Sequence, residues 1–186
     1  MKTNMRNKTM IIVLCALFAA LDIIVARFFT FTIYTPVMMK YDAQILIAGL
    51  AGYFLGPLWG SLTLVASDLL GALMNSGTIG IFPGFTLTAF LRGFLFGLVF
   101  YRGLFKSWKG VVQTFVSFTV LYFVLDIVLN AFWISVTTGA PYLPMLATRI
   151  PFKILVGPAC ASLFFAVVKP LDVFGIRPVR LQKSNT

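Results

Sequence analysis

Histidine and glutamate are absent from this chain of 186 residues, and its five acidic residues are all aspartate. Without those two residue types the usual general acid/base pairs and most zinc sites cannot be assembled from the chain alone, so no enzyme, metal site or cofactor is expected. The phosphate-cradling pattern G-x-x-x-x-G-K-[ST] is missing as well, which excludes nucleotide hydrolysis; any ATP-driven work needs another subunit. Cysteine is scarce. Cys15 and Cys160 lie in apolar runs without metal-ligand spacing and are expected to be small buried thiols. Charge of either sign is thin: 11% of residues are charged against 60% hydrophobic, with a mean hydropathy of +0.97. Too few polar groups exist to cover a soluble globule, which points to an integral membrane protein.

Long apolar runs are what the chain has in abundance. A spanning helix needs about 20 mostly apolar residues, and candidates lie near 9–27, 42–56, 58–75, 84–102, 110–137 and 148–168. The expected fold is all-α, six transmembrane helices in one domain covering residues 1–186. The second run is short enough to be tilted or partly inserted. Apolar runs recur to Lys169, so the first is a retained helix rather than a cleaved signal. Gly and Pro mark the breaks at "GPLWG", "NSGTIGIFPG", "YRGLFKSWKG" and "TTGAPYLP".

Cations in short loops set the orientation. Alternate ends carry Lys2, Arg6 and Lys8, then Arg102, Lys106 and Lys109, then Lys169, Arg177, Arg180 and Lys183, which places both termini in the cytoplasm. Arg27, Lys40 and Arg149 fall on the opposite side. The net charge of +10 then reflects topology and anionic lipid headgroups, not nucleic acid.

Ionisable residues inside spans are the chain's main functional signal, because each costs roughly 2.5–3.5 kcal/mol at a helix centre unless it faces a cavity or a partner. Asp22 is expected to pair with Arg27 or with another helix. Arg92 is expected in a structural pair, with Asp68 a possible counter-ion. Asp126 precedes Asn130 by one turn and is expected to brace helices, whereas Asp68 is open between bracing and ligand contact. Arg149 and Lys153 stand four apart, on one helix face, where like charges repel. Pro151 suits a first helical turn, so the sixth span is expected to start about there, its positive end joining both cations in an anion trap on the external side. The competing reading is that both side chains snorkel to the headgroups.

Aromatic groups supply a second element. Phe82 and Phe85 head the fourth span, and Asn130 and Trp133 share a face of the fifth. A flat heteroaromatic ring could stack there while the Asn130 amide offers a donor and an acceptor to its edge. Against this, a chain with 16% aromatics turns many of them to lipid.

The stretches "ALFAALDIIVARF", "GPLWGSLTLVASDLLGAL", "FPGFTLTAFLRGFLFGLVFY" and "LNAFWISVTTG", followed by "RIPFK", resemble the folate-specific substrate-binding S component (FolT type) of energy-coupling factor (ECF) vitamin transporters, over roughly residues 8–170. The resemblance implies a multi-pass protein of the bacterial plasma membrane that captures folate outside and docks on a transmembrane T subunit with two ATPases. Arg149 and Lys153, with Arg27, would then neutralise the two carboxylates of the glutamate tail. Phe82, Phe85 and Trp133 would stack on the pteridine, and Asn130 and Asp68 would read its edge. The family's A-x-x-x-A pattern matches Ala16 and Ala20, with Ala19 beside them, as a face for the T subunit; the same residues could instead pack inside the chain. S components for pantothenate and hydroxymethylpyrimidine share the fold, which leaves the vitamin open. So does a structural membrane protein without a ligand, whereas a self-sufficient secondary transporter lacks its inverted repeat.

Overall fold

The computed structural model describes residues 2–28, 31–33, 39–41, 43–74, 82–101 and 108–173. Helix α1 (Lys2–Phe28) leads through a small ribbon, β1 (Phe31–Ile33) and β2 (Met39–Tyr41), to α2 (Gln44–Met74); α3 (Pro83–Phe100), α4 (Trp108–Tyr122), α5 (Asn130–Thr138) and α6 (Tyr142–Val173) follow. A π-helical segment, Phe123–Leu129, joins α4 to α5 without a loop. The expectations resting on residues 75–81 and on Arg102, Lys106, Arg177, Arg180 and Lys183 lie outside the described residues.

Six helical rods result, because α2 is two rods. Gly56 has φ 79° and ψ −175°, a conformation reserved for glycine, and Pro57 follows it with a fixed φ suited to a first helical turn. The second arm folds back on the first: a methyl group built at Gly60 would stand 3.4 Å from the Ala51 oxygen. The break expected at "GPLWG" is therefore a tight reversal. Among the described residues four helices are long and apolar enough to cross a membrane, and α6 makes a fifth if its two limbs are one span.

Helix α3 lies directly against that reversal. A methyl group at Gly97 would sit 2.5 Å from both N and Cα of Pro57, and one at Gly93 would sit 2.5 Å from N and Cα of Ser61. The two glycines, four apart, leave a bare strip along which backbone meets backbone, the arrangement that drives helix association in lipid. Around the seam, Phe96 and Phe100 of α3, Phe118 of α4 and Phe164 of α6 interleave at centroid distances of 5.0–6.1 Å. A second cluster, Ile11 and Phe18 against Ile47, Ala51 and Leu55, seats α1 on α2. Outside these, leucine and valine side chains face outward, as lipid requires. Hydroxyls within the apolar helices return to their own backbone, Thr63 to the Trp59 carbonyl and Thr119 to that of Phe115.

Two local features differ from the sequence expectation. The first loop holds a three-residue ribbon, Phe31 opposite Tyr41 and Ile33 opposite Met39, which departs from the all-α expectation; "FTI" combines aromatic, β-branched and apolar residues suited to a strand. The sixth helix begins at Tyr142 rather than near Pro151. Pro151 lies inside it, and the limbs Tyr142–Pro151 and Val156–Leu171 meet at 54°. An internal proline cannot donate its N–H and crowds the preceding turn, so it bends a helix instead of starting one.

The seam carries a direct test. Gly97→Ala should destabilise the detergent-purified protein by about 1–3 kcal/mol through overpacking. Gly71→Ala, at a helical site with nothing within 4 Å, should melt at or slightly above the wild-type temperature. Equal melting of the two variants would show that the backbones do not meet.

Candidate functional site

Three ionisable side chains from three separate segments converge in the interior. Arg92 of α3 donates from Nη2 to Oδ1 of Asp126 at 2.5 Å, and the ammonium of Lys153 on α6 pairs with Oδ2 of the same carboxylate. Asp126 lies in the π-helical segment, whose wider turn sets the aspartate between the two cations. Lys153 also sits 5.3 Å from the centroid of the Tyr122 ring, a face that attracts a cation. The counter-ion of Arg92 is thus Asp126, not Asp68, and the repulsion expected between Arg149 and Lys153 is offset from across the bundle. Arg149 and Lys153 are 4% and 5% exposed, so neither snorkels, and with α6 beginning nine residues before Pro151 no helix N-terminus reinforces them.

Beside this triad lies a cavity of about 140 Å³, bounded by α1, both arms of α2, α3 and the start of α5. Asp22, Gln44, Asp68, Thr88, Arg92 and Asn130 give it a polar wall, and Phe85, Leu64 and Ala48 an apolar one. Asp22 makes no ion pair with Arg27 among the described residues. It accepts from Ser67 Oγ at 2.6 Å and Gln44 Nε2 at 3.3 Å, which ties α1 to both arms of α2. Asp68 accepts from Thr86 Oγ1 at 2.8 Å through Oδ2. Among the described residues its other oxygen accepts nothing, and the side-chain amide of Asn130 has no protein partner. Nε of Arg92 is buried without an acceptor. Buried polar groups are nearly always satisfied, so this concentration of open donors and acceptors marks a place for a ligand.

Of the groups expected from the sequence to contact a ligand, the structure brings Asp68, Phe85 and Asn130 onto the cavity wall; Asp22 and Arg92, expected in structural pairs, line it as well. Phe82 and Trp133 stand immediately behind it: their rings lie 5.8 Å apart, Phe82 touches Phe85 edge-on at 5.7 Å, and the indole N–H donates to Thr88 Oγ1 at 3.1 Å. Arg27 is exposed at the end of α1, away from the wall, and neither Arg149 nor Lys153 lines it. Gln44, Thr88 and Arg92 do, and sequence reasoning did not propose them as ligand groups. The signal available for Arg92 was its lone charge amid "FLRGF"; Gln44 and Thr88 are ordinary polar residues whose role depends on the α2 reversal. Ala16 and Ala20 are exposed on α1 and Ala19 is half-buried.

Lipid-facing helices closed around a polar, ring-lined cavity define a membrane protein that captures a small solute. The ECF transporter substrate-specific components match over residues 9–168, and the chain belongs to that family. It is a transport subunit of the plasma membrane rather than an enzyme, and an ECF module is its partner. A folate transporter FolT of Clostridium novyi (strain NT) is 26% identical over 166 residues, covering 89% of this chain and 92% of that one. A FolT of Leuconostoc mesenteroides is 29% identical over 123 residues, 66% and 62% of the two chains. Among solved structures, FolT bound with folic acid aligns with a TM-score of 0.70 at 23% identity, over 84% of this chain and 90% of that one. The S component for biotin aligns with 0.62 at 20% identity, over 90% and 93%.

The triad is testable without a ligand. Removing its one carboxylate, Asp126→Asn, strands two buried cations and should cost about 3–5 kcal/mol. The pair Asp126→Asn with Lys153→Met has the same net charge as the wild type and should recover most of that loss in detergent melts. Additive losses would mean that Lys153 does not depend on Asp126.

Proposed function

We propose that this chain is the folate-binding S component of an ECF importer: it captures the vitamin outside and hands it inward through a transmembrane T subunit powered by two ATPases. The observation that carries this reading is the cavity wall, where a carboxylate oxygen, an amide and a guanidinium stand open beside a phenyl ring. Pterins present this combination in reverse, with paired donors and paired acceptors on successive edges of a flat, stackable ring. The FolT relatives support the same vitamin. At about 140 Å³ the cavity is smaller than the roughly 300–1,000 Å³ of complete small-molecule sites, so it suits the ring and leaves the glutamate tail toward the mouth. The cation distribution supports cytoplasmic termini and an outward-facing mouth, and one six-helix domain suffices for all of it.

Calorimetry on purified protein tests the substrate. Folate should bind without ATP, since every ligand group lies on this chain. Heat with pantothenate or a hydroxymethylpyrimidine but none with folate would keep the family and reject the vitamin; no binding of any vitamin would return the chain to a structural role.

Docking is tested separately. The open face carrying Ala16 and Ala20 admits a close helix, so Ala16→Trp or Ala20→Trp should abolish uptake in cells that express the T subunit and ATPases while folate affinity stays near wild type. Parallel loss of affinity and uptake would place these alanines in the chain's own packing, and unchanged uptake would remove α1 from the docking surface.

A further inference from the structure

Charge decides which part of a folate the cavity can hold. Among the described residues its wall carries the two carboxylates Asp22 and Asp68 against one cation, Arg92, which shares Asp126 with Lys153. A dicarboxylate tail would be repelled there, whereas a neutral ring that offers donors to carboxylates and acceptors to a guanidinium would not. We propose that Arg92 is the specificity-determining residue of this cavity, reading the adjacent 4-oxo oxygen and N5 of an oxidised pterin ring whose 2-amino and N3 hydrogens face Asp68. The inference rests on the folate reading and deepens it.

The chemistry follows from the geometry of each group. A guanidinium is a rigid fork of donors, and two acceptors on neighbouring ring positions satisfy it in the way that O6 and N7 of guanine satisfy an arginine. The 4-oxo oxygen and N5 of a pterin have that spacing. On the same ring, the 2-amino group and N3–H point along the next edge as paired donors, which a carboxylate with an open oxygen accepts. Asp126 holds Arg92 through Nη2, and Lys153 in turn holds Asp126, so the fork is oriented before ligand arrives. Lys153 is then a positioning residue, away from the ligand itself.

The experiment compares folate with 4-amino-4-deoxyfolate, which has the same tail and shape but sets a donor where the fork needs an acceptor. Calorimetry on the wild-type protein should show folate binding roughly 5- to 150-fold more tightly, the discrimination typical of one bidentate pair. In Arg92→Gln the preference should shrink to near unity, because an amide can turn to donate or accept. Folding is expected to survive, since Asp126 and Lys153 remain a neutral pair. Arg92→Lys keeps the cation for Asp126 and loses only the fork, so its preference should fall between the two and provides the folded comparison if the glutamine variant is unstable. Equal affinities in the wild type, tighter binding of the 4-amino compound, or a preference untouched by either variant would overturn the assignment; a purely structural Arg92 would weaken both ligands alike. If the wild type bound neither ligand, the folate reading itself would fail.

Discussion

Arg92, Asp126 and Lys153 meet inside an apolar bundle, Arg92 at the edge of the cavity and the other two buried, and an arrangement of two cations around one carboxylate tolerates little displacement. In a medium of low dielectric constant an uncompensated charge is far more costly than any single packing defect, so α3, the π-helical segment and α6 must stay in register for the charges to remain together. The same requirement accounts for the wider helical turn at Phe123–Leu129, which carries Asp126 to a position between the cations. It also accounts for the ring of Tyr122 beside Lys153, which adds negative potential without another charge. The cavity inherits this rigidity: one of its walls is a guanidinium anchored from behind.

The opposite wall is made by a different constraint, the bare strip of Gly93 and Gly97. Close approach of α3 to the reversal at Gly56 brings the start and the end of α2 to the same region, so that Gln44 and Asp68, far apart in the chain, line one space. Asp22 then fastens α1 to that assembly through Ser67 and Gln44. The helix with the exposed alanine face is therefore hydrogen-bonded to the edge of the cavity, a physical link between the cavity and an outer face of α1.

Much of this was legible in the chain because membrane insertion imposes strong local rules. Apolar runs separated by glycine and proline located the six rods, and "GPLWG" located the reversal. Asp68, Phe85 and Asn130 could be picked out because a polar or aromatic residue at a helix position facing other helices needs a reason. The pairing of Arg92 with Asp126 was not legible: it spans 34 positions, and nothing local distinguishes Asp126 from Asp68 as a partner. Pro151 misdirected the account of α6, since a proline near the head of an apolar run serves equally as a first-turn residue or as a kink, and only the ordered turns from Tyr142 onward separate the two. Arg149 and Lys153 do share a buried helix, but what balances Lys153 arrives from another segment.

The fold by itself carries little information about the solute, because a biotin-binding S component aligns nearly as well as a folate-bound one. On the proposed reading selectivity resides in the few side chains with open hydrogen-bonding capacity on the wall, and their number is small for a reason. Every polar group added to this interior needs a partner from the protein or from the solute, and Ser67, Gln44 and Thr86 supply partners for only two aspartates. A membrane-embedded site therefore gains discrimination less by adding contacts than by fixing the direction of those it has. Arg92 is the clearest case: buried cation, carboxylate and second cation determine where its fork points, at the expense of three charged residues within an apolar chain.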